Sequence, residues 1–185
     1  MRFVLASASP RRREILTRLG YDFTVHCSNA PEDDVKGDIG AVVRTLAERK
    51  ALWVADEEKD ALIIAADTLV SLDGRALGKP HDKEDAFRML RALSGKTHEV
   101  ISGICLLNGI SGKKLVCSDT TKVEFYDLSD QQIVDYVESG EPMDKAGAYA
   151  IQGGAAKFVK RYTGSYDNIV GFPSELFEKM LGQIV

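Results

Sequence analysis

Three consecutive arginines follow two serines near the start of the chain, in the segment S-A-S-P-R-R-R at 7–13. Ser9 followed by proline is typical of a helix start, so the arginines are predicted to lie in the first helical turns. Cations are mildly unfavourable there, because this end of a helix carries partial positive charge. Free backbone N–H groups, the hydroxyls of Ser7 and Ser9 and two or three guanidinium groups from Arg11 to Arg13 would suit a bound phosphate. A solvated basic face is the alternative, since charge runs are common on protein surfaces.

A single acid, Asp67, stands directly after the apolar run A-L-I-I-A-A at 61–66. Such a run predicts a strand that is buried on both faces, as in the centre of an α/β sheet. We expect Asp67 at the end of that strand, where α/β sheets open their ligand crevice. A carboxylate near bound phosphates can hold a divalent metal or take a proton from water. A turn or capping Asp fits the local pattern equally well.

Further candidate residues are an acidic run and three lysines. The acidic run is Glu32 with Asp33 and Asp34, and hard cations favour such carboxylates. The lysines are Lys50 in L-A-E-R-K-A, Lys79 in G-K-P and Lys145 in D-K-A-G-A-Y. Taken alone, the acidic run and each lysine also fit ordinary solvated surface positions.

Composition and missing motifs exclude several classes of protein. The net charge of -4 lacks the basic excess of a generic nucleic-acid binder. The segment G-K-T at 95–97 is not a P-loop, because Leu90 stands where the first glycine is needed, and neither G-x-G-x-x-G nor G-x-S-x-G occurs. The three cysteines form no C-x-x-C pair and are predicted to be reduced thiols, and the scattered histidines predict no catalytic zinc. Apolar runs are too short for a signal peptide or a membrane span, so we expect a cytoplasmic protein.

The elements that must position these residues follow a mixed α/β pattern. Strands are predicted at 3–6, 23–26, 61–66, 69–72, 97–107, 114–126 and 158–162. Helices are predicted at 10–19, 39–57, 83–93, 130–139 and 174–182, and residues 140–157 are predicted to be irregular. There is too much contiguous β-structure in the middle for a pure βαβ fold. We expect one domain over residues 1–185, with room for two lobes.

In their order along the chain, seven segments resemble the Maf family of nucleotide pyrophosphatases, from the same superfamily as the inosine triphosphatases. They are L-A-S-A-S-P-R-R-R-E-I-L at 5–16, L-A-E-R-K-A at 46–51, A-A-D-T-L-V at 65–70, G-K-P at 78–80, L-S-G-K-T-H at 93–98, E-S-G-E-P-M-D-K-A-G-A-Y-A-I-Q-G at 138–153 and S-Y-D-N-I-V-G-F-P at 165–173. The resemblance covers nearly the whole chain. It implies an inosine-triphosphatase-like (Maf/Ham1) architecture, with a mixed twisted sheet flanked by helices around a deep cleft, in a homodimer.

The resemblance also implies a chemistry. It implies hydrolysis of nucleoside triphosphates to the monophosphate and pyrophosphate, with Mg²⁺ or Mn²⁺ as cofactor. It makes Glu32 a metal ligand, and it makes Asp67 the proton acceptor, a metal ligand or both. The phosphate-binding residues that it implies are Ser7, Ser9, Arg12, Lys50 and Lys79.

Three positions separate substrate classes in the family that the chain resembles, and here they hold Arg11, Thr68 and Gln152. This combination resembles the branch that acts on dTTP and UTP, and we expect modified uridine triphosphates to be accepted too. The Gln amide can accept from the imide N–H of uracil or thymine and donate to a carbonyl, while a guanidinium suits carbonyl oxygens. The alternatives are a pyrophosphatase for another base such as 7-methyl-GTP, or a non-catalytic nucleotide-binding regulator of cell division and septum formation.

Overall fold

The computed structural model describes residues 1–32, 35 and 37–184, and within them seven strands form one mixed sheet. The strands are β1 (Arg2–Leu5), β2 (Phe23–Val25), β3 (Ala61–Leu72), β4 (Arg75–Leu77), β5 (Thr97–Asn108), β6 (Lys114–Phe125) and β7 (Val159–Thr163). Their order is β2-β1-β3-β5-β6-β7, and β4 pairs with β3. Strand β1 is parallel to β2 and β3, whereas β4 is antiparallel to β3 and β7 is antiparallel to β6. The predicted mixed α/β class is confirmed.

Helices flank the sheet, and six are α-helices in this described part of the chain. They are α1 (Pro10–Arg18), α2 (Ile39–Ala55), α3 (Lys83–Leu93), α4 (Asp130–Glu138), α5 (Tyr166–Val170) and α6 (Ser174–Ile184). The predicted bounds of α3 are confirmed, with Asp82 as an N-cap that accepts from a backbone N–H, and α4 begins as predicted, with a capping box of Ser129 and Gln132. Helix α5 was not predicted, and the irregular segment 140–157 contains three short 3-10 turns.

The prediction that a strand ends at Ala66 is wrong, because β3 runs without a break from Ala61 to Leu72. Its pairing changes along one edge: β1 pairs as far as Ile64, and β4 pairs from Val70 onward. An acidic side chain does not interrupt a strand, since the ladder is made by backbone groups and the side chain points out of it. Asp67 therefore lies within a strand, just beyond the stretch that pairs with β1.

The chain divides into two compact units, and the first comprises the described residues within 1–68, 102–119 and 171–185. In this unit α2 packs on one face of β1, β3 and β5. The shared core consists of Val4, Ala6, Ala47, Ala51, Val54, Ala61, Ile63, Ala65, Cys105 and Leu107. Gly103 permits the close approach of α2, because a Cβ at that position would lie 2.2 Å from the carbonyl oxygen of Val43.

The second unit comprises residues 69–101 and 120–170. The two-residue turn Asp73-Gly74 joins β3 to β4 with φ of 51° and 77°, as a type I′ hairpin requires. Aromatic rings form much of the core of this unit. His98, Phe125, Tyr149, Phe158 and Tyr136 contact one another edge to face.

Candidate active site

Asp67 forms a buried ion pair with Lys50 in the first unit. Lys50 Nζ lies 2.6 Å from Asp67 Oδ1 and 2.7 Å from Oε1 of Glu32. The side chains of Lys50 and Asp67 are only 13% and 12% exposed, whereas that of Glu32 is 63% exposed. One ammonium group therefore bridges two carboxylates, of which one is buried and the other reaches solvent.

Local structure explains why these three side chains meet. Asp67 follows Ala65 by two residues in β3, so alternation along the strand turns both toward α2. Lys50 lies three residues after Ala47 and four before Val54, on the face of α2 that packs on the sheet. Glu32 precedes α2, and its neighbours Asp33 and Asp34, which the sequence also made candidates, lie outside the described residues.

Thr68 belongs to a second network, because the next side chain along a strand points to the opposite face. Its hydroxyl accepts from Arg12 Nη2 at 3.3 Å, lies 2.8 Å from the Ser102 hydroxyl and donates to the Gly171 carbonyl at 3.3 Å. These partners match the one donor and two lone pairs of a hydroxyl. The Thr68 hydroxyl is therefore fully used by the protein itself.

Arg12, predicted to bind phosphate, ties together three segments of the first unit. It donates to the Gly171 carbonyl at 2.9 Å and to the Ser7 hydroxyl at 3.1 Å, in addition to Thr68. Burial lowers the pKa of Arg12 from its ordinary value, and the negative charge of Asp67 acts in the opposite direction. A guanidinium has five N–H donors, so a phosphate contact remains compatible with these three bonds.

The start of α1 carries two further predicted site residues, Ser9 and Arg11. Ser9 is the N-cap, and within the described residues its side chain makes no capping hydrogen bond. The Nε of Arg11 is buried and has no hydrogen-bond partner among the residues that the structure describes. A buried donor without a partner is costly, so Arg11 is a suitable group for a bound ligand to satisfy.

The other predicted site residues lie in the second unit. Lys79 and Gln152 are both exposed, and the side chain of neither forms a hydrogen bond within the described part of the chain. The Gln152 amide is therefore not bonded to the backbone of its own loop, all of which the structure describes. Lys145 pairs with the carboxylate of its neighbour Asp144.

Sequence reasoning missed Ser102 and Gly171. Ser102 is fully buried in β5 and touches Thr68, which is 34 residues away along the chain. A serine within the apolar stretch V-I-S-G-I-C-L-L of β5 was the available signal, but its partner depends on which strands are neighbours in the sheet. Gly171 contributes only a backbone carbonyl, which no side-chain pattern reveals.

The family resemblance implies a divalent metal, and two carboxylates of this site fit one. Among the described residues no three His, Cys, Asp or Glu side chains are grouped as a protein-only metal cage would need. However, oxygens of Glu32 and Asp67 already converge on one cationic group, Lys50 Nζ. Magnesium is commonly held by one or two carboxylates, with waters and substrate phosphates as its other ligands. Glu32 and Asp67 fit such a site.

No helix among the described residues is long and apolar enough to cross a membrane.

Comparison with known proteins places the chain in a family. A "dTTP/UTP pyrophosphatase" of Clostridium perfringens strain SM101 is 46% identical over 184 residues, which cover 98% of this chain and 96% of that protein. Its namesake from Thermococcus gammatolerans is 50% identical over 177 residues, covering 96% and 94%. The fold resembles the structure of the Staphylococcus aureus Ham1 protein, with a TM-score of 0.55, 17% identity and 99% of both chains covered. The family model described as Maf-like protein matches residues 2–184, and the chain belongs to this family.

Proposed function

We propose that this protein hydrolyses dTTP and UTP to the nucleoside monophosphate and pyrophosphate. The observation that carries the proposal is the 46% identity, over 98% of the chain, to a relative named dTTP/UTP pyrophosphatase. The protein is thus a nucleoside triphosphate pyrophosphatase, a hydrolase of acid anhydrides. The geometry around Asp67 supplies groups that such a reaction needs.

In this reaction a water molecule attacks the α-phosphorus, and pyrophosphate leaves. The Asp67 carboxylate, held by Lys50 at 2.6 Å, orients this water and takes its proton. The cations Arg12, Lys50 and Lys79 and the hydroxyls of Ser7 and Ser9 bind the triphosphate and stabilise the charge on the leaving pyrophosphate. Most of the rate enhancement then comes from positioning and electrostatic stabilisation, as in other phosphoryl transfers.

The reaction uses a divalent cation, Mg²⁺ or Mn²⁺, for which Glu32 and Asp67 provide the protein ligands. Such an ion, when bound, neutralises phosphate charge and polarises the phosphoryl group. Support comes from the two carboxylates that share one cation, Lys50 Nζ, at 2.7 and 2.6 Å.

Metal dependence is tested by chelation and by Glu32→Gln. We expect EDTA to abolish turnover and Mg²⁺ or Mn²⁺ to restore it. Glu32→Gln removes one charged ligand, so half-maximal activity should need more Mg²⁺, and Mn²⁺ binding followed by EPR should weaken in parallel. Glu175→Gln, an exposed acid without these contacts, is the control. Full activity in EDTA would contradict the proposed cofactor.

Base selection is assigned to the positions Arg11, Thr68 and Gln152, and Arg11 and Gln152 make its polar contacts, since the Thr68 hydroxyl is already bonded within the protein. The test is kcat/KM for dTTP, UTP, CTP, GTP and 7-methyl-GTP on one preparation. We expect dTTP and UTP to be the best substrates, and a bidentate pair gives roughly 5- to 150-fold discrimination. A purine nucleotide with a kcat/KM about tenfold above that of dTTP and UTP would contradict this selection, since one bidentate pair gives discrimination of roughly that size. Tight nucleotide binding without turnover would instead indicate a non-catalytic regulator.

Two further proposals concern the setting of the enzyme. We infer that it acts in the cytoplasm, because the nucleotide pool that contains its substrates is there. We also infer a homodimer, which is what the resemblance to the family implies. Light scattering coupled to size exclusion gives the mass in solution, and the mass of one chain would contradict the dimer.

A further inference from the structure

The turn that carries Gln152 combines a free side chain with a fixed backbone. Gln152 is exposed and lies in a tight turn, between the buried residues Ile151 and Ala155. The Gly153 N–H donates to the Ala150 carbonyl at 3.1 Å, and the Ala156 N–H donates to the Gly153 carbonyl at 3.0 Å. An exposed polar side chain on an ordered backbone is what recognition of a ligand needs.

Two side chains hold this turn from outside it. The Ala150 N–H donates to the Tyr136 hydroxyl at 3.1 Å, and that hydroxyl donates to Glu141 Oε1 at 2.8 Å. The Gly154 N–H donates to both carboxylate oxygens of Glu141, at 3.2 and 3.1 Å. Tyr136 and Glu141, called the clamp below, thus hold the backbone two residues before and two residues after Gln152.

Close packing makes the clamp specific to this turn. A Cβ at Gly153 would lie 2.0 Å from Oε1 of Glu141, so any other residue there would displace the carboxylate. A Cβ at Gly154 would lie 3.2 Å from the Tyr136 ring. The two glycines that follow Gln152 in the chain therefore let the clamp approach the backbone directly.

The clamp itself rests on a rigid element. Tyr136 lies on α4 and is 4% exposed, with its ring edge to face against Phe158 at 5.3 Å. Burial, aided by the hydrogen bond to Glu141, raises the pKa of Tyr136, so its hydroxyl stays protonated at neutral pH. It therefore remains a donor to Glu141 while it accepts from the turn.

We propose that Tyr136 and Glu141 are positioning residues for base recognition, because they hold the backbone of Gln152 where its amide can pair with the imide edge of uracil or thymine. The proposal rests on the proposed function and adds two residues to it. A bidentate pair requires both hydrogen bonds at once, so a displaced turn loses the discrimination that the pair provides. A turn that is fixed beforehand also avoids the entropic cost of ordering on binding.

The test compares UTP with CTP, which differ only at the base. Tyr136→Phe removes both hydrogen bonds of the hydroxyl and keeps the ring. We expect the ratio of kcat/KM for UTP to that for CTP to fall by about 5-fold or more, because that is the lower bound for a bidentate pair. The change should appear in KM for UTP, with kcat almost unchanged, because Asp67 is untouched. A general loss of folded structure would instead lower kcat/KM for UTP and for CTP by the same factor, and the ratio would not change. Tyr162→Phe, on an exposed ring of the same unit, is the matched control.

A second set of variants tests the mechanism of the effect. Glu141→Gln keeps an oxygen acceptor and should keep most of the preference, whereas Glu141→Ala should lose it. In the Gln152→Ala background, Tyr136→Phe should have no further effect on the ratio, since the clamp acts through Gln152. Hydrogen exchange at the Ala150 and Gly154 amides should accelerate in Tyr136→Phe and in Glu141→Ala.

The outcomes separate the two proposals. A wild-type protein that hydrolyses neither nucleotide overturns the proposed function, and with it the role of the clamp in base recognition. A wild type that prefers UTP, combined with a Tyr136→Phe variant that keeps this preference, overturns the clamp alone. An effect of Tyr136→Phe that persists in full without Gln152 also overturns it.

Discussion

Asp67 is the residue on which the proposed chemistry depends. Asp67→Asn tests its role, because the amide has nearly the same shape as the carboxylate. An amide cannot take the proton of the attacking water, so we expect kcat to fall by about 10²- to 10⁴-fold. Lys50 keeps its contact with Glu32, so the fold and dTTP binding should persist, as circular dichroism and calorimetric titration would report. The control is Asp73→Asn, an exposed acid in the turn after β3. Turnover near the wild-type rate in Asp67→Asn would mean that another group is the proton acceptor.

Ser102 is expected to support the same strand from the opposite face. Ser102→Ala removes the hydroxyl that lies 2.8 Å from the Thr68 hydroxyl, next to Asp67 in sequence. One neutral hydrogen bond contributes about 0.5–1.5 kcal/mol to stability, so the free energy of unfolding should fall by about this amount. The preference for UTP over CTP should not change, because the Thr68 hydroxyl is already used by the protein. Urea unfolding measures the first quantity and steady-state kinetics the second, each beside Ser111→Ala in an exposed loop. A changed preference would mean that the Ser102 hydroxyl acts on base recognition.

The elements explain which parts of the site could be predicted from the sequence. The run of apolar residues before Asp67 identified the buried strand, and Lys50 stands out as a charge on the apolar face of α2. The caps at Asp82 and Ser129 were equally visible, because they depend on residues within one turn of helix. Local patterns thus predicted most helices and strands and the candidate acid.

What could not be predicted depends on contacts between distant segments. The continuation of β3 past Asp67 depends on its partners β4 and β5, and no local pattern of side chains reports them. Ser102 and the Gly171 carbonyl join Thr68 from 34 and 103 residues away. The contacts of Glu141 with the turn of Gln152 span 13 residues, across an irregular segment without hydrophobic periodicity.

The aromatic core of the second unit predicts a dependence of stability on pH. His98 is 2% exposed, its Nε2 lies 2.8 Å from the Tyr149 hydroxyl, and burial lowers the pKa of His98 from 6.5 to about 4. Between these values the unfolded chain binds a proton that the folded chain does not, so stability falls as pH falls. One such group lowers the free energy of unfolding by about 2 kcal/mol between pH 7 and pH 5.

Urea unfolding at the two pH values measures this loss. His98→Phe removes the titrating group, so its free energy of unfolding should depend much less on pH than that of the wild type. His81→Asn replaces an exposed histidine and should keep the wild-type dependence. Equal pH dependence in wild type and His98→Phe would show that other groups are responsible.

At the scale of the whole molecule, a protein with net charge -4 is proposed to bind a highly charged anion. Binding must therefore rely on local cations and not on the overall field. Arg12, whose guanidinium keeps N–H donors beyond its three bonds, and Lys79, exposed and without a hydrogen bond in the described part of the chain, are the groups best placed to supply this charge. Salt should partly screen the contribution of Lys79 to nucleotide binding, because its side chain is exposed.

The position of bond cleavage tests the central claim most directly. dTTP is hydrolysed with Mg²⁺ in ¹⁸O-labelled water, and the products are followed by phosphorus NMR. Attack at the α-phosphorus predicts dTMP and pyrophosphate in equal amounts, with the heavy oxygen in the phosphate of dTMP. Formation of dTDP and orthophosphate, or heavy oxygen in the pyrophosphate, would contradict the account.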